Sequence, residues 1–404
     1  MRLRDQHDRR VWLAYGMNVH PGGDGPAWRA ALDATVAPLR RRLGVTGPFG
    51  VAVRLDAPGV RALWADEAGR EALVAAHAAA GLVPFTGNAF VLGRFHGAGV
   101  KEAVYAPAWS DEARRRYTRD FARLLAAFHA PGARVSLSTA PGSWKAWGDT
   151  ASAEAARAHH IVATGCDLAR LAADTGVVVR LGLEPEPGCT LETVEETLRF
   201  FQGPLARALE GHAEAAAHLG VCFDVCHQAV RHEDVAAGLE RLLDAGVPVV
   251  KVQLSVALEV ADPRDEAARR ALARFDEGTY LHQVVAPDGR GGQAFAPDLG
   301  VALADPAWRT LAPWRVHFHV PVHRRSMRGG LRTTASDLDA VLAVVGRRAE
   351  IDHLEIETYT FDVLPDDERE EGPDGALVEA LLAEHRHVLA GLVGHGLVPE
   401  GGEA

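Results

Sequence analysis

Five strand-like segments in the second half of the chain each end in polar groups, and their alternation constrains the fold more than any other feature. They are LGLEPEP (181–187), GVCFDVCH (220–227), VVKVQLS (249–255), WRVHFHVPVH (314–323) and DHLEIETYT (352–360). Side chains alternate in direction along a strand. Val316, Phe318 and Val320 therefore share one face, and His317 and His319 the other. Leu354 and Ile356 likewise oppose Glu355 and Glu357, and Phe223 opposes Cys222 and Asp224. One face can pack on helices, while the other carries carboxylate, imidazole and amide. The pattern predicts a parallel β/α barrel with a partly polar axis and a site at the C-terminal ends of its strands.

Four earlier segments read as strands: LAYGMNV (13–19), GVAVRL (50–55), LVPFTGNAF (82–90) and RVSLST (134–139). All alternate with helical stretches, which means βα units and a parallel sheet. A (β/α)8 barrel needs eight strands, so one candidate is extra. Either 249–255 or 315–320 fills the seventh position. Residues 256–313 read as an insertion near the C-terminal face, a lid or a wall of the site. Residues 1–404 are expected to form a single domain. Residues 365–404 read as an acidic loop, a C-terminal helix and a mobile tail.

The chain has 404 residues, 48% of them hydrophobic, which suffices for one large core. Its net charge of −11 argues against a nucleic-acid partner, because phosphate binding wants a basic surface. No apolar run is long enough to span a membrane, and the charged start MRLRDQHDRRVW lacks the apolar core of a signal peptide. The cysteines at 166, 189, 222 and 226 form no CxxC pair. They read as reduced thiols, which suits a cytoplasmic protein. A small metabolite is the expected partner, and the sequence allows a homo-oligomer.

Glu184 stands at a strand end before Pro185, with Glu186 as the alternative two residues on. Their plain reading is a pair of solvated loop acids. Asp224 and His227 form Asp-x-x-His, where the histidine would otherwise cap the next helix. His317, His319 and His323 fall within seven residues and are followed by Arg324 and Arg325. Gln253 and Lys251 face inward, the lysine most simply as an ion-pair partner of Glu355. Glu357 lies nearest the C-terminal end of the last strand. Inward carboxylates are costly to bury unpaired, and a cation offsets the cost. Carboxylates with an imidazole and an amide suit a divalent Mn, Mg, Fe or Zn ion and not a thiolate zinc site. Asn18 ends the first strand and Trp144 follows the fourth. Both are candidates for substrate contact, with loop packing as the plain reading of Trp144. No P-loop and no GxSxG elbow is present.

Taken in order, the strand-end Glu, Asp-x-x-His, His-x-His with a following Arg, and final Glu resemble the xylose-isomerase-like TIM barrels. That superfamily includes sugar and sugar-phosphate isomerases and epimerases, and divalent-metal endonucleases. Its ketose 3-epimerase type implies metal ligands at Glu184, Asp224, His319 and Glu357, and substrate contacts at His227 and Arg325. Gln253 is the alternative to His319. More narrowly, PEPGCTLET, FDVCHQAV, KVQLS, YLHQVV, HFHVPVH and HLEIETYTFDVLP are similar to the EboE metabolite-traffic family. That likeness implies a role tied to a secondary-metabolite operon. The chain departs from the epimerase pattern at Thr190, which stands where a second acid is expected.

Three functions compete on these residues. The first is a metal-dependent isomerase or epimerase of a polyhydroxylated or hydroxy-keto metabolite. There Glu184 and Glu357 serve as base and acid, and His227, Arg325, His317, His323, Trp144 and Asn18 contact substrate. The second is a metal-dependent phosphoesterase, in which His317, His323 and Gln253 supply further ligands. The third is a non-catalytic metabolite carrier that uses the same pocket.

Overall fold

The computed structural model describes residues 1–20, 25–93, 100–372 and 375–400. Eight parallel strands close on themselves. In chain order they are Arg10–Gly16, Phe49–Arg54, Leu82–Asn88, Arg134–Thr139, Val178–Leu183, Leu219–Asp224, Val249–Leu254 and His353–Ile356. The eighth pairs with the first, from His353 against Trp12 to Ile356 against Tyr15, and this seals the barrel. The fold is an (β/α)8 TIM barrel. Strands of such a sheet are covered by helices outside and by each other inside, so they carry near-continuous apolar runs. Phe49–Arg54, Leu219–Asp224 and Val249–Leu254 are accordingly buried at every residue.

The helices between strands start and stop on local signals. The long helix Ala151–Thr175 is capped by Thr150, whose hydroxyl accepts from the Ala153 amide, and ends at Gly176 with φ of 71°. A residue with a side chain is strained in that left-handed conformation, which is why glycine closes the helix. No helix among the described residues is long and apolar enough to cross a membrane.

The seventh barrel strand is Val249–Leu254, and the histidine-rich segment is not a barrel strand. Residues from Val256 to Thr334 lie between that strand and the helix Ala335–Arg347. They build a separate six-stranded sheet whose paired neighbours run antiparallel. Trp314–Val316 pairs there with Leu258–Val260 on one side and Val284–Pro287 on the other. The alternation nevertheless held in direction. Val316, Phe318 and Val320 are in the apolar core, with Phe318 against Phe275 at 5.1 Å between ring centroids. His317 and His319 point the other way. The C-terminal helix spans Ala376–Gly394. The expected mobile stub at 401–404 lies outside the described residues.

The barrel axis is polar, in layers. Low in the barrel, Ser136 donates to Thr86 at 2.8 Å and shares a hydrogen bond with His353 at 2.9 Å. Above them the buried Lys251 ammonium pairs with Glu355 and also donates to the Gly87 carbonyl at 3.3 Å. Asp224 and Glu355 both face Gln253 in register across neighbouring strands, so all three share a layer.

A carboxylate and histidine site at the barrel mouth

Glu184 and Glu357 each follow the last residue of a barrel strand, Leu183 and Ile356. The ladder holds both backbones: the Glu184 amide donates to the Thr139 carbonyl at 3.0 Å and the Glu357 amide to the Leu254 carbonyl at 3.1 Å. Asp224 ends the sixth strand and caps the helix Val225–Val230, its Oδ1 accepting from the His227 amide at 2.9 Å. The Asp-x-x-His spacing is thus a capping geometry that also delivers both side chains to the mouth. Ser255 Oγ donates to the same Oδ1 at 2.8 Å.

Carboxylate oxygens of Glu184, Asp224 and Glu357 lie within 4.8 Å of one another, and all three side chains are buried. One oxygen of each, Glu184 Oε2, Asp224 Oδ2 and Glu357 Oε2, has no hydrogen-bond partner among the described residues. Asn18 and Asn88 donate to the other oxygen of Glu357 at 2.9 and 3.3 Å. Burial, followed by the nearby Asp224, raises the Glu184 carboxyl well above its ordinary range. Burial, followed by Glu184, does the same to Glu357. Glu186 lies beside this group. Burial pushes it up to about 8, against hydrogen bonds from Tyr105 Oη at 2.5 Å and Gln283 Nε2 at 3.4 Å.

The imidazoles of His227, His317 and His319 gather at the same place. His319 and His227 each bring a ring nitrogen within 4.8 Å of Asp224, and His227 and His317 do so with Glu186. Burial lowers all three, His227 to about 4. A cavity of about 60 Å³ opens onto the group, lined by residues at and beyond the strand ends and by Tyr280, Leu281, His317 and His319 of the segment between the seventh strand and the helix Ala335–Arg347. That segment therefore walls part of the barrel mouth.

Other expected residues fall elsewhere. Arg325 is exposed and paired with Asp339 outside the cavity; the strand of its segment ends at Val316, and Arg325 lies just before the separate strand Ser326–Met327. His323 is half-buried beside Glu370, at 3.5 Å. Trp144 stacks on Tyr105 at 4.8 Å and 7°, behind the cavity wall, so it packs and does not face the opening. Asn18 lines the cavity. Gln253 accepts from the Cys222 thiol at 2.9 Å through Oε1, which leaves its amide nitrogen without a partner. An amide nitrogen does not ligate a cation, so in this orientation Gln253 is no substitute for His319. Cavity residues that sequence reasoning passed over include Arg54, Tyr105, Tyr280 and Tyr359. Arg54 had a signal: in GVAVRL it follows Gly50 and Ala52 on the inward face.

A family model described as xylose isomerase-like TIM barrel matches residues 49–293. The chain belongs to that family. A solved xylose isomerase-like TIM barrel protein from Mycobacterium smegmatis, in complex with magnesium, is similar over 95% of this chain and 97% of that one, with 11% identity and a TM-score of 0.51. The IOLI protein with a binding zinc atom covers 95% of this chain and 99% of its own, with 10% identity and a TM-score of 0.49. Likeness at such identity is likeness of fold. A comparison with curated proteins returned no match. Within the xylose isomerase-like frame, the segment after the seventh strand supplies His317 and His319 to the barrel mouth.

Proposed function

We propose that this chain is a divalent-metal-dependent isomerase or epimerase of a polyhydroxylated or hydroxy-keto metabolite, of the EboE type tied to secondary-metabolite traffic. The observation that carries the reading is the convergence of Glu184, Asp224 and Glu357 within 4.8 Å, each buried with one partnerless oxygen. Such oxygens are expensive to desolvate unless protons or a cation meet them. An oxygen-rich set with an adjoining imidazole fits Mn, Mg, Fe or Zn. Glu184, Asp224, Glu357 and His319 are the residues that would hold the ion. When bound, such an ion polarises a substrate carbonyl or hydroxyl and lowers the cost of removing a proton beside it.

The chain's own groups do the rest in this reading. Glu184 and Glu357 take up and return the proton, since burial and neighbouring carboxylates (Asp224 for Glu184, Glu184 for Glu357) raise both carboxyls toward the range where they hold one. Asn18 and Asn88 fix the Glu357 carboxylate by donating to one oxygen. His227, held at Nδ1 by the Pro185 carbonyl at 3.0 Å, presents its other nitrogen to substrate oxygens. Tyr105, Tyr280 and Tyr359 line the opening and limit it to small ligands.

The test is proton exchange. Metal-loaded protein is incubated in D2O with a panel of ketoses and hydroxy-ketones and followed by NMR. Deuterium should enter at the carbon beside the carbonyl of one ligand, and Glu357→Gln should abolish that entry. Saturable binding with no exchange would make the protein a carrier, and phosphate release from phosphoesters would make it a hydrolase.

A further inference from the structure

One cluster of ligand-type side chains lies away from the barrel mouth and has no part in the reading above. Cys166, on the helix Ala151–Thr175, meets His212 and Glu214, which stand at the start of the short helix Ala213–Ala216. Cys166 Sγ lies 3.6 Å from His212 Nδ1 and 3.6 Å from Glu214 Oε1, and those last two atoms lie 3.7 Å apart. The three atoms thus mark an almost equilateral triangle. A glycine beside the cysteine permits the approach. A Cβ at Gly165 would lie 2.8 Å from the Ala215 Cβ and 3.0 Å from the Ala215 carbonyl oxygen, so a side chain there would hold the two helices apart.

Hydrogen bonding accounts for two sides of the triangle, because a thiol can donate to the carboxylate and accept from the imidazole. The third side, at 3.7 Å, is too long for a hydrogen bond, yet it matches the other two. An ion accounts for all three. Zinc bonds run to about 2.3 Å for sulfur, about 2.0–2.1 Å for nitrogen and about 2.0–2.2 Å for oxygen. At tetrahedral angles these lengths separate sulfur from nitrogen by about 3.5–3.6 Å, sulfur from oxygen by about 3.5–3.7 Å and nitrogen from oxygen by about 3.3–3.5 Å. The observed triangle meets the first two ranges and lies within roughly 0.2 Å of the third.

We infer that Cys166, His212 and Glu214 form a zinc-class cation site on the outside of the barrel. The side chains of His212 and Glu214 are half-exposed, so the fourth position faces solvent and is left to water. A thiolate with an imidazole selects zinc over magnesium or manganese, whereas carboxylates suit the harder ions. The site clamps the helix Ala151–Thr175 to the chain that enters the sixth strand at Leu219. Asp224 stands at the far end of that strand, roughly 17 Å on. The clamp and the mouth are therefore separate, and the inference does not rest on the proposed reaction.

The test is a zinc count with a ligand readout. The full chain is stripped with a chelator, loaded with excess Zn²⁺, desalted and assayed for zinc per chain and for zinc K-edge absorption. Wild type should show a sulfur scatterer at about 2.3 Å. Cys166→Ser should lose that sulfur and one zinc equivalent. His212→Ala, at a side chain that makes no capping hydrogen bond, should lose the same equivalent. Glu357→Gln, at the mouth, should keep the sulfur-bound zinc. A zinc shell without sulfur, or a count and sulfur signal unchanged in Cys166→Ser, would overturn the site and leave the thiol merely hydrogen-bonded to its two neighbours. Sulfur-bound zinc that persists in His212→Ala would overturn the assigned ligand set, and no retained zinc in wild type would overturn the site outright. Should Cys166→Ser fail to fold, His212→Ala decides.

Discussion

Glu357→Gln should separate stability from cation binding in opposite directions. The carboxylate oxygens of Glu184, Asp224 and Glu357 lie within 4.8 Å of one another. At that distance and an effective dielectric of about 20, each ionised pair repels by about 3.5 kcal/mol. The amide removes that repulsion and keeps an oxygen for the Asn18 and Asn88 donors. Without cation the variant should therefore match or exceed wild type in stability. With cation, wild type gains about 2.7 kcal/mol at a hundredfold excess over Kd. A chain of 404 residues has an unfolding entropy near 0.85 kcal/mol/K on the per-residue average, so that gain is roughly 3 °C in Tm. Glu357→Gln should lose most of this shift. Calorimetry with and without Mn²⁺, run beside metal analysis, reads both quantities. A variant destabilised by more than about 2 kcal/mol without cation, yet showing the full cation shift, would mean that Glu357 is a structural acid.

The other predictions concern the surroundings. Lys251→Met strands the buried Glu355 carboxylate; it should cost about 3–5 kcal/mol in urea denaturation, and adding Glu355→Leu should recover most of that loss. Recovery of nothing would show that the pair is not the cause. Arg325→Ala, on an exposed pair with Asp339, should change stability by less than about 0.5 kcal/mol and leave metal content and proton exchange as in wild type; lost exchange would return Arg325 to the site. In cation-stripped protein, Glu186 keeps its proton up to about 8, against an ordinary 4.5. Between those values the unfolded chain binds fewer protons than the folded one, so the contribution is complete below 4.5 and is lost as pH rises through about 8. The slope is at most about 1.4 kcal/mol per pH unit, and denaturation of Glu186→Gln from pH 5 to 8 should show a shallower fall than wild type. Identical slopes would remove Glu186 as the group responsible.

How far the sequence could be read follows from how each residue is positioned. Glu184, Asp224 and Glu357 sit at or one residue past a strand end. Their direction follows from period-two alternation and their height from the strand's length, both local properties. The eight strands were legible for the same reason. Alternation does not say which sheet a strand joins. Trp314–Val316 has the same apolar and polar faces whether it pairs in the barrel or, as here, with Leu258–Val260 and Val284–Pro287. That choice is long-range, and from sequence the segment remained a rival for the seventh barrel position. His317 and His319 reach the site all the same, because the chain running on from Trp314–Val316 lines the cavity at the barrel mouth. Arg325 was misplaced because it lies past the alternating run, where turn conformation sets direction. Tyr105 and Gln283 come from connecting segments outside the strands, and their joint hold on Glu186 needs coordinates from three separate stretches of chain. The pattern of success and failure has one physical cause. A ligand set built from strand ends is written in short-range periodicity, while the groups that orient it are set by loop contacts that no periodicity encodes.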